Sequence, residues 1–198
     1  MKISVGMCSS PITAESWHIP LSVQDWTLGM AYAHLQQIGL RQEQIPFIVQ
    51  LIENPRFELP GIEIFPGATD LPTHDCIHIL LGRGLDSIDE AFVLGYTMGS
   101  TNRLNATEEA LYTFFARNFY PEGYKFGDDE VRVFRDAVRL AYITGGASLA
   151  EVDYRQYYDK TLKELRQQLG IDEGLLRAYY SLEKKRFPTH AASQRLLD

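Results

Sequence analysis

Cysteine is scarce in this sequence, which holds only Cys8 and Cys76 among 198 residues. Two cysteines cannot supply the several disulfide bonds that small secreted proteins use in place of a large core. The first twenty residues carry one cation, Lys2, and Pro11 and Glu15 interrupt any apolar run, so no signal or transit peptide is predicted. We therefore expect a cytoplasmic protein that folds under reducing conditions.

Dense runs of positive charge and long apolar runs are also missing. The 19 Lys and Arg residues are outnumbered by 26 Asp and Glu residues, and the formal net charge is −7. Such a surface is poorly suited to displacing counterions from a phosphate backbone, so we expect no nucleic-acid partner. No stretch approaches the roughly 18 apolar residues of a membrane-spanning helix, so we expect any membrane contact to be peripheral, at the inner face of a membrane.

What the sequence does contain is a globular composition, with 45% hydrophobic and 23% charged residues. A chain of 198 residues is long enough to bury most of its apolar surface in one core. Alternation of apolar and polar residues predicts at most a short hairpin at residues 57–65. We predict a single compact all-α domain over residues 1–198, and its oligomeric state stays open, with a homo-oligomer as one alternative.

Helix signals follow one another along the chain. Apolar residues at three- and four-residue steps predict an amphipathic helix within residues 22–40, and a short helix is predicted over residues 44–53. Residues 54–70 hold three prolines and two glycines, which forbid a continuous helix and predict a loop. Further helices are predicted to start near Asn105 and Asp128, each with acidic residues in its first turn.

A C-terminal amphipathic helix is predicted over residues 172–187. Leu176, Tyr179 and Tyr180 belong to its apolar face, which we expect to pack on the protein's own core. The basic residues 184–186 offer an alternative use of this helix, which is contact with anionic head groups or with a partner protein.

Two helices are predicted on either side of a glycine-rich turn. The first begins near Pro72 and ends at the Gly82-Arg83-Gly84 sequence, because two glycines within three residues favour a C-terminal cap. The second begins at Ser87, whose spacing to Glu90 has the form of a capping box.

Potential metal ligands lie on these two helices. His74 and His78 are four positions apart, hence about 40° apart on a helix that turns by about 100° per residue, with Asp75 about 60° beyond His78. Glu90 can complete the set if the chain reverses at Gly82. Imidazole and carboxylate donors suit zinc, iron, manganese or cobalt better than an all-oxygen cage does. The pattern therefore favours a divalent-metal site.

The same spacing also has a purely structural explanation. Leu81 and Leu85 lie on the stripe of the two histidines, so this face of the helix is expected to be buried. Core histidines hydrogen-bonded to Asp75 would show the same spacing. Glu90, in turn, would only satisfy a backbone N–H if it belonged to a capping box. Spacing alone leaves both interpretations open.

The motif resembles that of a known family. His74-Asp75-Cys76-Ile77-His78, followed by eleven residues and Glu90, is similar to the HDxxH-x11-E signature of the ubiquinone biosynthesis protein four family. The resemblance continues through Leu81-Gly82 and, more weakly, through residues 162–171, and it spans roughly residues 45–171. Members of this family are all-helical.

The resemblance implies a role in coenzyme Q assembly. It implies a metal at His74, Asp75, His78 and Glu90, with zinc first and magnesium, iron, manganese or cobalt as other candidates. It also implies that a polyisoprenoid lipid or a prenylated quinone precursor binds between helices. The lack of a predicted targeting segment and the departure at residues 96–100 indicate a distant, bacterial-type relative, whose quinone need not be ubiquinone.

Apolar side chains near the motif are candidate lipid contacts. Leu111, Phe114 and Phe115 form a stripe on the helix after Asn105, while Phe92 and Tyr96 lie on the helix that carries Glu90. Packing into the core is the alternative for each of them.

Two hypotheses follow for the function. In the first, the protein is a metal-dependent enzyme that assists hydroxylation or decarboxylation at C1 of a prenylated aromatic head group. In the second, it is a non-catalytic scaffold that presents the lipid to other quinone-biosynthesis proteins. Metal-dependent phosphohydrolysis ranks last, because no second His-Asp pair is evident. The G-x-G at Gly82 is too short for a nucleotide or flavin fingerprint.

Overall fold

A computed structural model describes residues 16–38, 65–122 and 124–197 of the chain. These residues form eight α-helices and two short 3₁₀ segments, and no strand occurs among them. The prediction of an all-α fold is therefore confirmed. The helix predicted over residues 44–53, all but the last residue of the hairpin predicted at 57–65, and most of the loop predicted at 54–70 lie outside the described residues.

The bounds of the helices give the order of the fold. The eight α-helices are α1 (Leu28–Leu35), α2 (Leu71–Leu81), α3 (Ser87–Ser100), α4 (Ala106–Asn118), α5 (Asp128–Thr144), α6 (Leu162–Leu169), α7 (Glu173–Arg186) and α8 (Ala191–Arg195). The 3₁₀ segments, Leu149–Glu151 and Tyr154–Tyr157, lie between α5 and α6.

Helix α3 lies at the centre of the fold, and every residue from Ala91 to Ser100 is buried. Its closest neighbour is α5. A Cβ atom at Gly95 would overlap the carbonyl oxygen of Phe134, and one at Gly99 would overlap that of Val138. The two glycines therefore bring the backbones of α3 and α5 into direct contact, which fixes the position of the helix that carries Glu90.

Helix α1 is shorter than the predicted span of 22–40, since it begins at Leu28 and ends at Leu35, and residues 36–38 form a turn. Thr27 is its N-cap and accepts a hydrogen bond from the Met30 backbone N–H. The backbone before Thr27 makes hydrogen bonds to a distant segment and not within a helical turn. Leu162 N donates to Trp26 O at 2.8 Å, and Lys163 N donates to Gln24 O at 3.1 Å. Tertiary pairing has replaced the first predicted turns.

The end of α2 is held from two sides. Gly82 adopts a left-handed conformation with φ of 68°, which confirms the predicted C-terminal cap. The buried Arg166 donates from Nε to the Leu80 carbonyl oxygen at 2.8 Å, and the Tyr180 hydroxyl donates to that of Leu81 at 2.6 Å. The last carbonyl groups of α2 are therefore tied to α6 and α7.

The start of α3 differs from its prediction. The N-cap is Asp86, whose backbone N–H donates to the carboxylate of Asp89 at 3.4 Å. The capping box lies one position before the predicted pair of Ser87 and Glu90, so that prediction was wrong. As a result the Glu90 carboxylate does not serve the helix end, and it points toward α2.

Helix α7 matches the predicted C-terminal helix. Asp172 caps it through a hydrogen bond from Leu175 N at 2.9 Å, and Leu176, Tyr179 and Tyr180 are buried. This face packs on the protein's own core, as expected. Among the basic residues, Arg186 pairs with Asp136 of α5 at 2.6 Å.

Within the three described ranges, no helix combines the length and apolar character that crossing a bilayer requires.

The close contact between α3 and α5 can be tested by adding one methyl group. We expect Gly95→Ala to lower the free energy of unfolding by about 1–3 kcal/mol, because the new Cβ meets a backbone carbonyl that cannot rotate away. Urea denaturation would measure the loss.

Gly174→Ala in α7 is the matched control. A Cβ at Gly174 would meet only the Asp172 side chain, at 3.2 Å, so we expect a change of less than about 1 kcal/mol. A Gly95→Ala protein as stable as the wild type would contradict the described packing.

Candidate metal centre

The two histidines of the motif lie on successive turns of α2 and face each other. Their ring centroids are 4.6 Å apart, and the Nε2 atoms of His74 and His78 are separated by 2.9 Å. The His78 ring is fully buried, whereas 14% of the His74 side chain is exposed. The four-residue spacing therefore places both rings on one face, as predicted.

The Glu90 carboxylate approaches this pair from α3. Its Oε2 lies 2.8 Å from Nε2 of His74, and its Oε1 lies 3.3 Å from Nε2 of His78. One potential ligand atom from each of the three residues lies within 4.8 Å of the others. The chain reversal between α2 and α3 thus assembles a donor set of two imidazoles and one carboxylate that can hold a metal ion.

The tautomer of His78 follows from its backbone contact. Its Nδ1 lies 2.7 Å from the carbonyl oxygen of Gly84. Because a carbonyl oxygen only accepts, Nδ1 must carry the proton, and in the neutral ring Nε2 then bears a lone pair. That lone pair is directed into the space shared with His74 and Glu90. Metal-binding histidines are commonly oriented by a contact of this kind.

The spacing of the donors suits a coordinated cation. Metal–nitrogen bonds of about 2.0–2.1 Å place two donors at right angles about 2.9 Å apart, and two tetrahedral donors about 3.4 Å apart. The observed separations among the three side chains are 2.8, 2.9 and 3.3 Å. Hydrogen bonds have similar lengths, so the same geometry serves the metal-free protein.

Charge at the centre resides on Glu90. Partial burial opposes ionisation of its carboxyl, but the positive charge of His78 and His74 in their protonated forms, and the hydrogen bonds that those protonated rings donate, hold the pKa of Glu90 well below its usual range. The carboxylate is therefore available as an anionic ligand at neutral pH. With 32% of the Glu90 side chain exposed, the centre is open to solvent on that side.

Asp75, the fourth predicted ligand, lies outside this group of three. Its side chain is buried and its Oδ2 accepts a hydrogen bond from Nε2 of Gln36, just after α1, at 3.0 Å. Burial raises the pKa of Asp75 to about 6, although the His74 and His78 side chains oppose that rise. The structure therefore places this carboxyl beside the donor set, facing α1.

Two residues of the centre were not predicted from the sequence. Gly84 was assigned only to the glycine-rich helix end, yet its carbonyl oxygen orients His78. Gln36 follows directly after α1, 39 positions before Asp75, and carries no sequence signal that would relate it to the motif. Both contacts come from tertiary structure.

The five candidate lipid contacts fall into two groups. Phe92 and Tyr96 are buried and stack on one another, with ring centroids 5.9 Å apart. Leu111 and Phe114, on α4, are 44% and 53% exposed, and Phe115 beside them is half-buried. The first group belongs to the core, and the second contributes to an apolar surface on α4.

An apolar cleft of about 270 Å³ lies elsewhere, between the end of α3 and α5. None of the five candidates lines it. Its walls are formed by Gly99, Asn102, Leu104, Val138, Arg139, Tyr142 and Ile143.

Comparison of the chain with protein-family models, with curated proteins and with solved structures finds no match.

The burial of Asp75 predicts a pH-dependent stability in metal-free protein. Between about pH 4 and 6 this carboxyl ionises in the unfolded chain while it stays protonated in the folded protein, so its contribution to stability falls as the pH rises. We expect Asp75→Asn to gain stability relative to the wild type over this range, by up to about 3 kcal/mol.

Urea denaturation at several pH values, in the presence of a chelator, would measure this difference. Asp159→Asn is the matched control, because it makes the same substitution at an exposed carboxylate. The expectation fails if the two variants behave alike.

Proposed function

We propose that this protein binds a divalent transition metal through His74, His78 and Glu90. The convergence of three donor atoms from two helices within 4.8 Å carries this proposal. Two neutral imidazoles and one carboxylate offset part of the charge of a divalent cation and match the preferences of zinc, iron, manganese and cobalt. Zinc is the first candidate, in line with the resemblance of the motif.

Three protein ligands would leave coordination positions open. A tetrahedral ion would keep one position for an outside ligand, and an octahedral ion would keep three. The partial exposure of the Glu90 and His74 side chains supports access from solvent. A closed structural metal site would instead use four protein ligands. The arrangement therefore supports a site that binds an oxygen-containing molecule at the metal.

We further propose a prenylated aromatic quinone precursor as that molecule. The support is the HDxxH-x11-E motif, whose two histidines and glutamate belong to the one donor group. When bound, the metal would supply Lewis acidity to oxygen atoms of the head group, which would assist loss of CO₂ from C1 with a proton taking its place. Hydroxylation at C1 is an oxidation, so it would also require O₂ together with a redox-active ion such as iron, manganese or cobalt, because zinc cannot change its oxidation state. In this proposal the chain's own residues bind and orient: His78 is held by Gly84, and Glu90 by its position on α3.

A non-catalytic role in presenting a prenyl lipid is the second candidate. The observation that favours it is the apolar surface formed by Leu111 and Phe114 of α4 and by Phe119 directly after it, which are between 44% and 54% exposed. Exposed aromatic side chains of this kind mark sites of contact with lipids or proteins more often than isolated surface residues do. In this version the metal holds the head group and partner enzymes perform the chemistry.

Metal binding is tested by a matched pair of histidine variants. His74 contacts Glu90 at 2.8 Å within the donor group, whereas His190 contacts Asp129 at 3.2 Å away from it. With Zn²⁺ or Co²⁺ at a hundred times its dissociation constant, we expect the free energy of unfolding to rise by about 2.7 kcal/mol in the wild type and in His190→Ala. His74→Ala should lose most of this gain.

Thermal unfolding with and without metal, together with elemental analysis of the purified protein, provides the measurement. Equal stabilisation of both variants would exclude the assigned centre. The centre would also be excluded if the purified wild-type protein retained no metal and gained no stability from zinc, iron, manganese or cobalt ions.

An assay for conversion of a prenylated substrate distinguishes the enzyme hypothesis from the scaffold hypothesis. Metal-loaded protein would be incubated with a prenylated 4-hydroxybenzoate, with and without oxygen, and the products identified by mass spectrometry. Product from the wild type but not from His78→Gln supports an enzyme. Tight binding of the prenylated compound without product supports the scaffold. A protein that binds metal but neither binds nor converts the compound would contradict the proposed substrate class.

A further inference from the structure

A buried group of charged side chains lies directly behind the metal centre. We call Arg83, Asp89, Glu183 and Arg195 the buried charge network. The two cations are Arg83, in the turn after α2, and Arg195, in α8. The two anions are Asp89, in the first turn of α3, and Glu183, in α7. Three of the four side chains are fully buried, and the side chain of Arg195 is 15% exposed. The charges balance, so no member is left uncompensated.

The short helix α8 contacts both anions of this network. Arg195 donates from Nη2 to Oδ2 of Asp89, and the Ser193 hydroxyl donates to Oε1 of Glu183 at 2.9 Å. Glu183 in turn accepts two hydrogen bonds from Arg83, at 2.8 and 2.5 Å. Helix α8 therefore holds in place the turn between α2 and α3, which separates the two histidines from Glu90.

Gly84 connects this network to His78. Its carbonyl oxygen accepts the hydrogen bond from Nδ1 of His78. The space into which a Cβ at Gly84 would project is filled by the guanidinium of Arg195 and by the carbonyl oxygen of Trp17. One side of Gly84 thus faces the metal-site histidine while another is packed against Arg195, so a shift of Arg195 would move the carbonyl group that orients His78.

We infer that Arg195 is a positioning residue of the metal centre: by packing on Gly84 and pairing with Asp89, it holds His78 with Nδ1 protonated and Nε2 directed toward His74 and Glu90. The consequence for metal affinity rests on the proposed function, but the effect on the His78 ring does not. Loss of a contact that orients a metal ligand typically weakens metal binding roughly 10–100-fold.

The test compares two arginine variants near the C-terminus. Arg195→Met removes the guanidinium that packs on Gly84. Arg186→Met is the control, because it removes an arginine that pairs with Asp136 on the outside of α5. Co²⁺ binding would be followed by its visible absorption and by competition with a chromophoric chelator. We expect about tenfold or greater weakening and altered bands in Arg195→Met only, with partial recovery in Arg195→Lys.

A second measurement does not depend on metal. Long-range proton–nitrogen NMR spectra of ¹⁵N-histidine-labelled, metal-free protein report the tautomer of each ring. We expect His78 to be the Nδ1–H tautomer in the wild type and in Arg186→Met, and a mixture of tautomers in Arg195→Met. A protein that binds no Co²⁺ but shows this change would refute the metal function while supporting the role of Arg195.

Circular dichroism would establish that the variants are folded. If Arg195→Met does not fold, Gly84→Ala decides the matter, because it keeps all four charges while its Cβ disturbs the packing between Gly84 and the Arg195 guanidinium. Unchanged His78 tautomer and unchanged Co²⁺ spectra in the folded variants would overturn the inference.

Discussion

Arg83 is a fully buried cation at the turn between α2 and α3, and the carboxylate of Glu183 binds it through two hydrogen bonds. The rings of Phe92 and Tyr180 lie on its guanidinium at 3.8 and 4.3 Å. Breaking a buried pair by removal of one partner costs about 3–5 kcal/mol, because the other charge stays buried and unpaired. The turn is therefore held in one conformation, and the geometry of the candidate metal centre depends on that conformation. If the turn moved, Glu90 and the Gly84 carbonyl would both leave their places.

The donor set has one anionic side chain and two imidazoles, and the surrounding fold explains how they coexist. The ionised Glu90 is partly exposed and lies beside both histidines, whereas Asp75 is buried, faces Gln36 and has a raised pKa. Two carboxyls in one motif thus have opposite electrostatic environments. Carboxyls with shifted pKa values are found more often at functional sites than elsewhere on a protein. In our proposal Glu90 is the ligand, and Asp75 connects the centre to α1.

The candidate lipid contacts also divide into side chains that are buried in the core and side chains that are exposed at the surface. Phe92 is buried in the core, where its ring lies on the guanidinium of Arg83 and, among the described residues, does not face an open cleft for a lipid. The exposed residues of α4 offer an apolar surface in another part of the fold. The head group and the prenyl chain of the proposed ligand would therefore contact different helices. The proposed metal ligands lie on α2 and α3, whereas the apolar surface lies on α4.

Local chemistry in the sequence determined the class of fold, the span of α2 with its glycine cap, and the shared face of His74 and His78, because these features depend on neighbours within a few residues. It also pointed to Glu90, both as a ligand that completes the set if the chain reverses at Gly82 and, alternatively, as part of a capping box, which Asp86 and Asp89 form instead. Only the tertiary structure decided that Asp75 turns to Gln36 and that Asp89 binds Arg195, 39 and 106 positions away. Those contacts depend on how separate helices pack, and no local pattern encodes such packing.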